Sequence, residues 1–407
     1  MFLEILFFML LGILFGVFTG LVPGLHPNTV FILLLSISFL FLPFPIECIL
    51  AFIVSLGVSN TFFDFIPSIV FGAPEEDSVL SVLPGHQMLL AGRGYEALFL
   101  TVMGGLGVIL LTCLSLPALL YFLPLIYTII RPVIHIILAV FVLWMIVSEK
   151  GGKKRYAFLV FSLSGVFGFV TLNALPSEQS LFPALTGLFG LSTLVISITT
   201  RMKLPPQKKQ REIKANWLKG SVAGWIAGML AGLLPGIGSS QAGVLVAQIL
   251  RARMREFLIA LGGINTSNIF FTFIVFYVIG KTRSGAVWAI SQLMDAVSFF
   301  DVAMLVVVGF ITCFISCILT IKIGGLVIDH IKNVNYTKMM LLTTIILFML
   351  VFIFTGILGI LISLTGMFTG LLAVSFGVKR AHLMGFLLLP TIIYFSGASA
   401  FFLSLMF

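Results

Sequence analysis

The sequence predicts an all-α polytopic membrane protein built as two inverted-topology repeats, each with a Pro-Gly-tipped membrane hairpin, a re-entrant segment and five spanning helices. Three observations carry that prediction. The 407-residue chain is 60% hydrophobic and only 9% charged, whereas a soluble domain covers its surface with roughly a quarter charged residues. Apolar runs of membrane-spanning length follow one another along nearly the whole chain. A break, Gly20-Leu21-Val22-Pro23-Gly24, returns 212 positions later as Gly232-Leu233-Leu234-Pro235-Gly236.

The first repeat opens with an apolar run over 7–22, the break at Pro23-Gly24, and a return arm over 30–42. That arm is short of the ~20 residues a full span needs, so the pair reads as a hairpin whose tip lies inside the bilayer. Residues 49–66 span and carry Ser59, Asn60, Thr61 and Asp64. Residues 67–90 are interrupted by Pro74, Glu75-Glu76-Asp77 and Pro84-Gly85-His86-Gln87, and read as re-entrant. Spans over 97–116, 117–147 (bent at Pro124 and Pro132), 156–172 and 181–199 complete the repeat.

The one long polar linker, 201–216, sets Arg201, Lys203, Lys208, Lys209, Arg211 and Lys214 against a single acid, Glu212. It divides the chain into a first repeat, 1–200, and a second, 217–407. The second runs in the same order. A hairpin over 217–250 breaks at Pro235-Gly236, 257–280 spans, 281–299 is interrupted by Arg283, Gln292 and Asp295, and spans follow over 302–321, 341–360, 361–378 and 382–396. A second anchor supports duplication, because Val58-Ser59-Asn60 aligns with Thr266-Ser267-Asn268 at an offset of 208, each followed by a Phe-Phe pair.

Charge sets the orientation. The loop over 43–48 has no basic residue, whereas 251–255 holds Arg251, Arg253 and Arg255, so the two hairpins enter from opposite faces. Five spans per repeat then put 150–155, the linker, 322–338 and Lys379-Arg380 in the cytoplasm, and an odd count forces the second copy to be inverted. Lys281 and Arg283 outside, and the acids at 75–77 inside, run against the rule. The net charge of +9 falls in these loops and marks no nucleic-acid surface. The N-terminus lacks a positive leader, so the first run is expected to be retained in a multi-pass protein of the cytoplasmic membrane. Cys48, Cys113, Cys313 and Cys317 sit in or beside apolar runs and read as buried thiols.

A Pro-Gly pair ends a helix and frees backbone N–H and C=O groups, which a bilayer tolerates only beside protein or a wet cavity. One such break per half marks a transporter's substrate site, where a half-helix N-terminus favours an anion. The plainer reading is a pair of tight turns outside the membrane. Candidate binding residues are His26, Asn28 and Thr29 after the first break, and Ser239, Ser240 and Gln241 after the second. They either hold a carboxylate or phosphate or cap the helix that follows. Asn60 and Asn268 either line the same cavity or bridge helices. Asp64 is an ion-coupling candidate for Na+ or H+, or reaches water near the cytoplasmic end; its counterpart is Thr272. His86, Gln87, Gln292 and Asp295 face the cavity or satisfy backbone, the acids at 75–77 read as solvated surface, and 379–382 as a topological anchor.

No phosphate-binding Gly-rich loop, nucleophile motif, metal-ligand cluster or cofactor signature stands out, so no enzyme is expected. The reading is an ion-coupled secondary transporter for a small anionic carboxylate. The alternatives are a carrier or flippase for an anionic lipid such as a polyprenyl phosphate and, from another class, a membrane scaffold or intramembrane enzyme. A homodimer stays open as an assembly.

The repeated break with Asn28-Thr29, the run from Gly228 to Gly238, Pro84-Gly85-His86-Gln87-Met88 with Ala91-Gly92-Arg93-Gly94, and the closing stretch from Val378 to Gly385 resemble one family. That family is TctA, the large membrane subunit of tripartite tricarboxylate transporters, in its divergent archaeal-type branch. The resemblance implies import of a carboxylate such as citrate driven by an ion gradient. It also implies a small membrane subunit and an extracellular binding protein as partners.

Overall fold

The computed structural model describes residues 2–22, 30–31, 43–71, 79–175, 177–200, 205–209, 213–234, 238–239, 242–243, 246, 253–280, 282, 284–294, 297–331 and 336–404. Among them every regular element is a helix, and seven helices are long and apolar enough to cross a membrane. The protein is a multi-pass α-helical membrane protein.

Helix α1 (Phe2–Leu21) lies along α2 (Ile46–Phe63) in parallel. Gly12 meets Phe52 and Ser55, Gly16 meets Leu56 and Ser59, and Gly20 meets Phe63. The contact depends on missing side chains, since a Cβ on Gly16 would sit 2.5 Å from the Leu56 carbonyl oxygen. Small residues at four-residue spacing are how helices approach closely where lipid removes the hydrophobic drive. Two further helices are α3 (Phe65–Phe71) and α4 (Val79–Leu90), which pack together, and α5 (Gly94–Ile130) follows. The second half repeats the seam: α10 (Trp217–Leu233) lies in parallel along α11 (Met254–Ile279), with Gly224 against Ala260, Gly228 against Ser267 and Gly232 against Phe271. Gly12, Gly16 and Gly20 stand 212 positions before Gly224, Gly228 and Gly232, the same interval as the breaks.

The two seams cross head to tail. Gly57 lies by Ile269, Thr61 bonds Thr266, and Asp64 bonds Asn265, so α2 and α11 are antiparallel. Each is flanked by a long helix from the other half. Helix α5 follows α11, with Thr101 against Gly262 and Gly105 against Thr266. Beyond α12 (Gly285–Leu293), α13 (Phe299–Ile331) follows α2, with the hydroxyls of Ser55 and Thr312 3.0 Å apart.

The remaining helices form a second group: α6 (Ile134–Val147), α7 (Lys153–Ala174), α8 (Ser177–Leu185), a π-helical stretch Thr186–Leu191, α9 (Ser192–Thr200), α14 (Tyr336–Ser375) and α15 (Gly385–Phe395). Helix α14 breaks at Gly356, whose φ of 66° and ψ of −157° are foreign to a helix. Its first arm runs from Met340, beside Leu191 and Leu194, to Phe354, beside Phe182. Its second arm runs back, with Ser363 by Gly187 and Gly370 by Ser192. Every extensive helix–helix packing among the described residues falls within α1–α5 with α10–α13, or within α6–α9 with α14 and α15. Each group draws on both halves of the sequence.

Several boundaries differ from those expected. The second and third spans do not divide at Pro117. Helix α5 runs through Pro117 and Pro124 to Ile130, and the chain turns at the 3-10 segment Arg131–Val133. Proline costs a membrane helix one hydrogen bond but does not by itself end it, since local adjustment can re-satisfy the freed backbone group. The expected division at 360/361 lies instead at Gly356. The segment over 379–382 is no mere surface anchor. His382 is fully buried, its Nε2 lies 3.1 Å from Glu149 Oε1, and that oxygen also accepts the Lys379 N–H at 3.1 Å. The acids at 75–77 and Asp295 lie outside the described residues.

Burial alone would raise the Glu149 carboxyl, but the Lys379 N–H, the His382 ring and the nearby positive charge outweigh it and hold it below the ordinary carboxylate range. Its stabilisation is therefore present above the usual carboxylate value and lost as pH falls through the depressed one. Glu149→Gln should lower stability at pH 7 by about 1.5–3 kcal/mol, the worth of hydrogen bonds to a charged group. In thermal melts the gap from wild type should begin to narrow as pH falls below about 4.5, the usual carboxyl value, and go on narrowing toward the depressed one. A gap that does not narrow at all on acidification would exclude this joint. At the seams, Gly16→Val and Gly228→Val should each cost about 1–3 kcal/mol by overpacking. Gly152→Ala, which meets nothing within 4 Å, should melt like wild type.

Candidate functional site

The polar residues of the membrane region converge where α2 and α11 cross. Asp64, 1% exposed, occupies the turn that separates α2 from α3, and its Oδ2 accepts from Asn265 Nδ2 at 2.7 Å. One turn earlier the Thr61 hydroxyl donates to the Val58 carbonyl at 2.8 Å and lies 3.2 Å from that of Thr266. A carboxylate at such a place costs several kcal/mol unless it is hydrogen-bonded or neutralised. The alternative in which Asp64 reaches water is therefore corrected: its helix turn faces the interior of the bundle.

Both polar helices also tie to the glycine seams. The Ser59 hydroxyl donates to the Ile13 carbonyl at 3.2 Å, and the Ser267 hydroxyl to the Gly224 carbonyl at 3.2 Å. Asn60 Nδ2 donates to Thr19 Oγ1 at 3.1 Å, and Thr19 in turn donates to the Gly16 carbonyl at 3.2 Å. Asn268 Nδ2 donates to Ser239 Oγ at 3.4 Å, which brings together two residues singled out in sequence, with Ser239 1% exposed. Thr272, the counterpart of Asp64, donates to the Ile269 carbonyl at 2.7 Å and accepts from Ser284 at the start of α12.

The ends of α1 and α10 locate the breaks in depth. Gly20 abuts Phe63, seven residues before the end of the apolar stretch Ile46–Val70. Gly232 abuts Phe271, eight residues before the end of Met254–Ile279. At the helical rise both lie roughly 10–12 Å inside their partners' ends. Leu234, the residue before Pro235, is extended and buried. Pro23, Gly24, His26, Asn28, Thr29, Pro235, Gly236, Ser240 and Gln241 lie outside the described residues. Of the residues expected in the re-entrant segments, Gln87 and Gln292 are exposed, and His86 Nδ1 meets the Ile69 carbonyl at 2.8 Å.

Asn265 was not among the residues picked out in sequence. Its counterpart at the 208-residue offset is Gly57, so comparing the two repeats hides it. The available signal was spacing: Asn265 and Asn268 share a helical face, as do Thr61 and Asp64. Chemically the crossing offers one carboxylate for a proton or small cation, and amide and hydroxyl donors for an anion.

At the linker end, Glu96 is clamped between Arg93 and Arg255, with Nε–Oε distances of 2.7 and 2.6 Å. The hydrogen bond to Glu96 raises the pKa of Arg93 further above neutrality. Gln207 in the linker accepts from the Gly94 N–H and donates to the Leu89 carbonyl, both at 2.9 Å, which pins the linker across the junction of α4 and α5.

Comparison with known proteins extends over nearly the whole chain. The model of the tripartite tricarboxylate transporter TctA family matches residues 6–385. The uncharacterized protein MJ1079 of Methanocaldococcus jannaschii is 33% identical over 402 residues, covering 96% of this chain and 98% of that protein. No solved structure matches. The chain belongs to the tripartite tricarboxylate transporter TctA family, whose members are membrane components of transporters and not enzymes.

Proposed function

We propose that this protein is an ion-coupled secondary transporter that moves a small anionic carboxylate across the cytoplasmic membrane. The observation that carries the reading is the placement of two helix ends, at Leu21 and Leu233, inside the depth of two antiparallel polar helices. The shared 212-residue interval and the head-to-tail crossing support an inverted repeat. The carboxylate would be held by backbone N–H groups beyond Pro23-Gly24 and Pro235-Gly236, with His26, Asn28, Thr29, Ser239, Ser240 and Gln241 as side-chain donors. Asn60 and Asn268, bonded to Thr19 and Ser239, would line the same site.

Asp64 takes the coupling ion, a proton or Na+, because it is the carboxylate buried at the crossing. Alternating access follows from moving the group that carries both breaks against the second group, to which it is joined by few packing contacts. Family membership supports a small membrane subunit and an extracellular binding protein as partners. Basic loops at 150–155 and 253–255 support the cytoplasmic membrane with both inside.

Uptake of labelled citrate and related carboxylates into proteoliposomes tests the reading. Wild type should accumulate a carboxylate in an ion gradient. Pro235→Ala with Gly236→Ala should reduce uptake at least tenfold while the protein stays in the membrane, because the pair rebuilds a continuous helix. Asp64→Asn should keep exchange at equal ion concentrations and lose gradient-driven accumulation. Unchanged uptake in the double variant would remove the break from the mechanism, and movement of only lipid-linked phosphate would replace the carboxylate.

A further inference from the structure

The sharpest unassigned feature is a basic lip at the cytoplasmic end of the second helix group. The turn between α6 and α7 and the first turn of α7 carry Lys150, Lys153, Lys154 and Arg155, and the chain before α15 brings Lys379 and Arg380 against them. Three contacts lock the two segments together. Lys153 Nζ donates to the Gly377 carbonyl at 2.8 Å, the Lys379 N–H donates to Glu149 at 3.1 Å, and the Tyr156 and Phe376 rings stack at 4.6 Å. The nearby acid, Glu149, is turned inward and held by His382.

The basic residues around the linker are partly matched: Arg93 and Arg255 share Glu96, and Lys209 pairs with Asp329 at 3.2 Å, while Lys208 and Lys214 are exposed without an ion pair among the described residues. At the lip Lys150, Lys154 and Arg155 are exposed and make no ion pair among the described residues. Arg380 is half-buried and bonds only neutral oxygens, those of Phe189 and Thr193.

What lies beneath the lip decides the partner. On α7 the next turns expose Phe158 (61%), Leu163 (43%) and Val166 (56%), while Tyr156 caps them at the boundary. A soluble anion or an acidic protein has no use for an apolar wall directly below the charges. An anionic lipid of the cytoplasmic leaflet matches both parts, with its phosphate among the cations and its chains along α7.

We propose that the juxtaposed segments 150–156 and 376–380 form a docking site for an anionic phospholipid headgroup. The site is separate from the helix breaks and does not depend on what is transported. It anchors the second group in the cytoplasmic leaflet, where basic residues near the surface each add to attraction for anionic lipid.

The test uses the purified full chain in phosphatidylcholine vesicles and measures binding of spin-labelled phosphatidylglycerol against spin-labelled phosphatidylcholine. Wild type should prefer the anionic lipid several-fold, and the preference should weaken with salt. Lys150→Gln, Lys154→Gln and Arg155→Gln combined should abolish most of it. Arg155→Lys should retain it, which separates lost charge from lost folding. Equal binding of the two lipids, or a preference unchanged in the triple variant, would overturn the proposal. So would displacement of the labelled lipid by 10 mM inorganic phosphate, on the order of ordinary buffer strength, which would make this a soluble-anion site.

Discussion

A backbone amide or carbonyl left unpaired in hydrocarbon costs several kcal/mol, and this penalty governs the whole molecule. Helices answer it locally along almost the entire chain. At Leu21 and Leu233 the chain leaves the helix roughly 10–12 Å inside the ends of the helices it packs on, so the surroundings must answer it. Those surroundings hold a cluster of buried polar side chains: Thr61, Asp64, Asn265 and Thr266 at the crossing, and Asn60, Thr19, Asn268 and Ser239 beside the helix ends. Broken backbone and buried polar side chains therefore occur together because each makes the other tolerable.

The glycine seams make this arrangement rigid. Without Cβ atoms at Gly12, Gly16 and Gly20, and at Gly224, Gly228 and Gly232, the paired helices approach until serine hydroxyls reach carbonyls on the neighbour. The long helices α5 and α13 then cross over to flank the opposite half's polar helix, which binds the two halves into one group. The second group is held by a different device, a folded-back α14 packed on the π-helical stretch at Thr186–Leu191. A transporter needs two such units that can shift against one another, and the sparse packing between them permits it.

Much of this was legible from sequence, and the physical reason is plain. Spans follow from hydropathy, so α10 and α11 fall within three residues of their expected starts, and α1 and α10 end two residues before the proline-glycine pairs. What stayed hidden depends on partners. Pro117 looks like a boundary, yet helix α5 runs through it, and Gly356 looks like any other membrane glycine until its φ of 66° is known. His382 sits in a basic motif that reads as a surface anchor, yet Glu149, 233 residues away, draws it inside. Asn265 has no repeat partner, so symmetry could not reveal it.

The central claim is that the two hairpins enter from opposite faces and meet at the crossing of α2 and α11. Surface labelling of single cysteines tests it most directly. In a chain whose native cysteines are replaced, Glu47→Cys, at the start of α2, and Arg253→Cys, just before α11, are each exposed to an impermeant maleimide on sealed cells. The account predicts that position 47 reacts at once and position 253 only after permeabilisation. Reaction of both from the same face would contradict it.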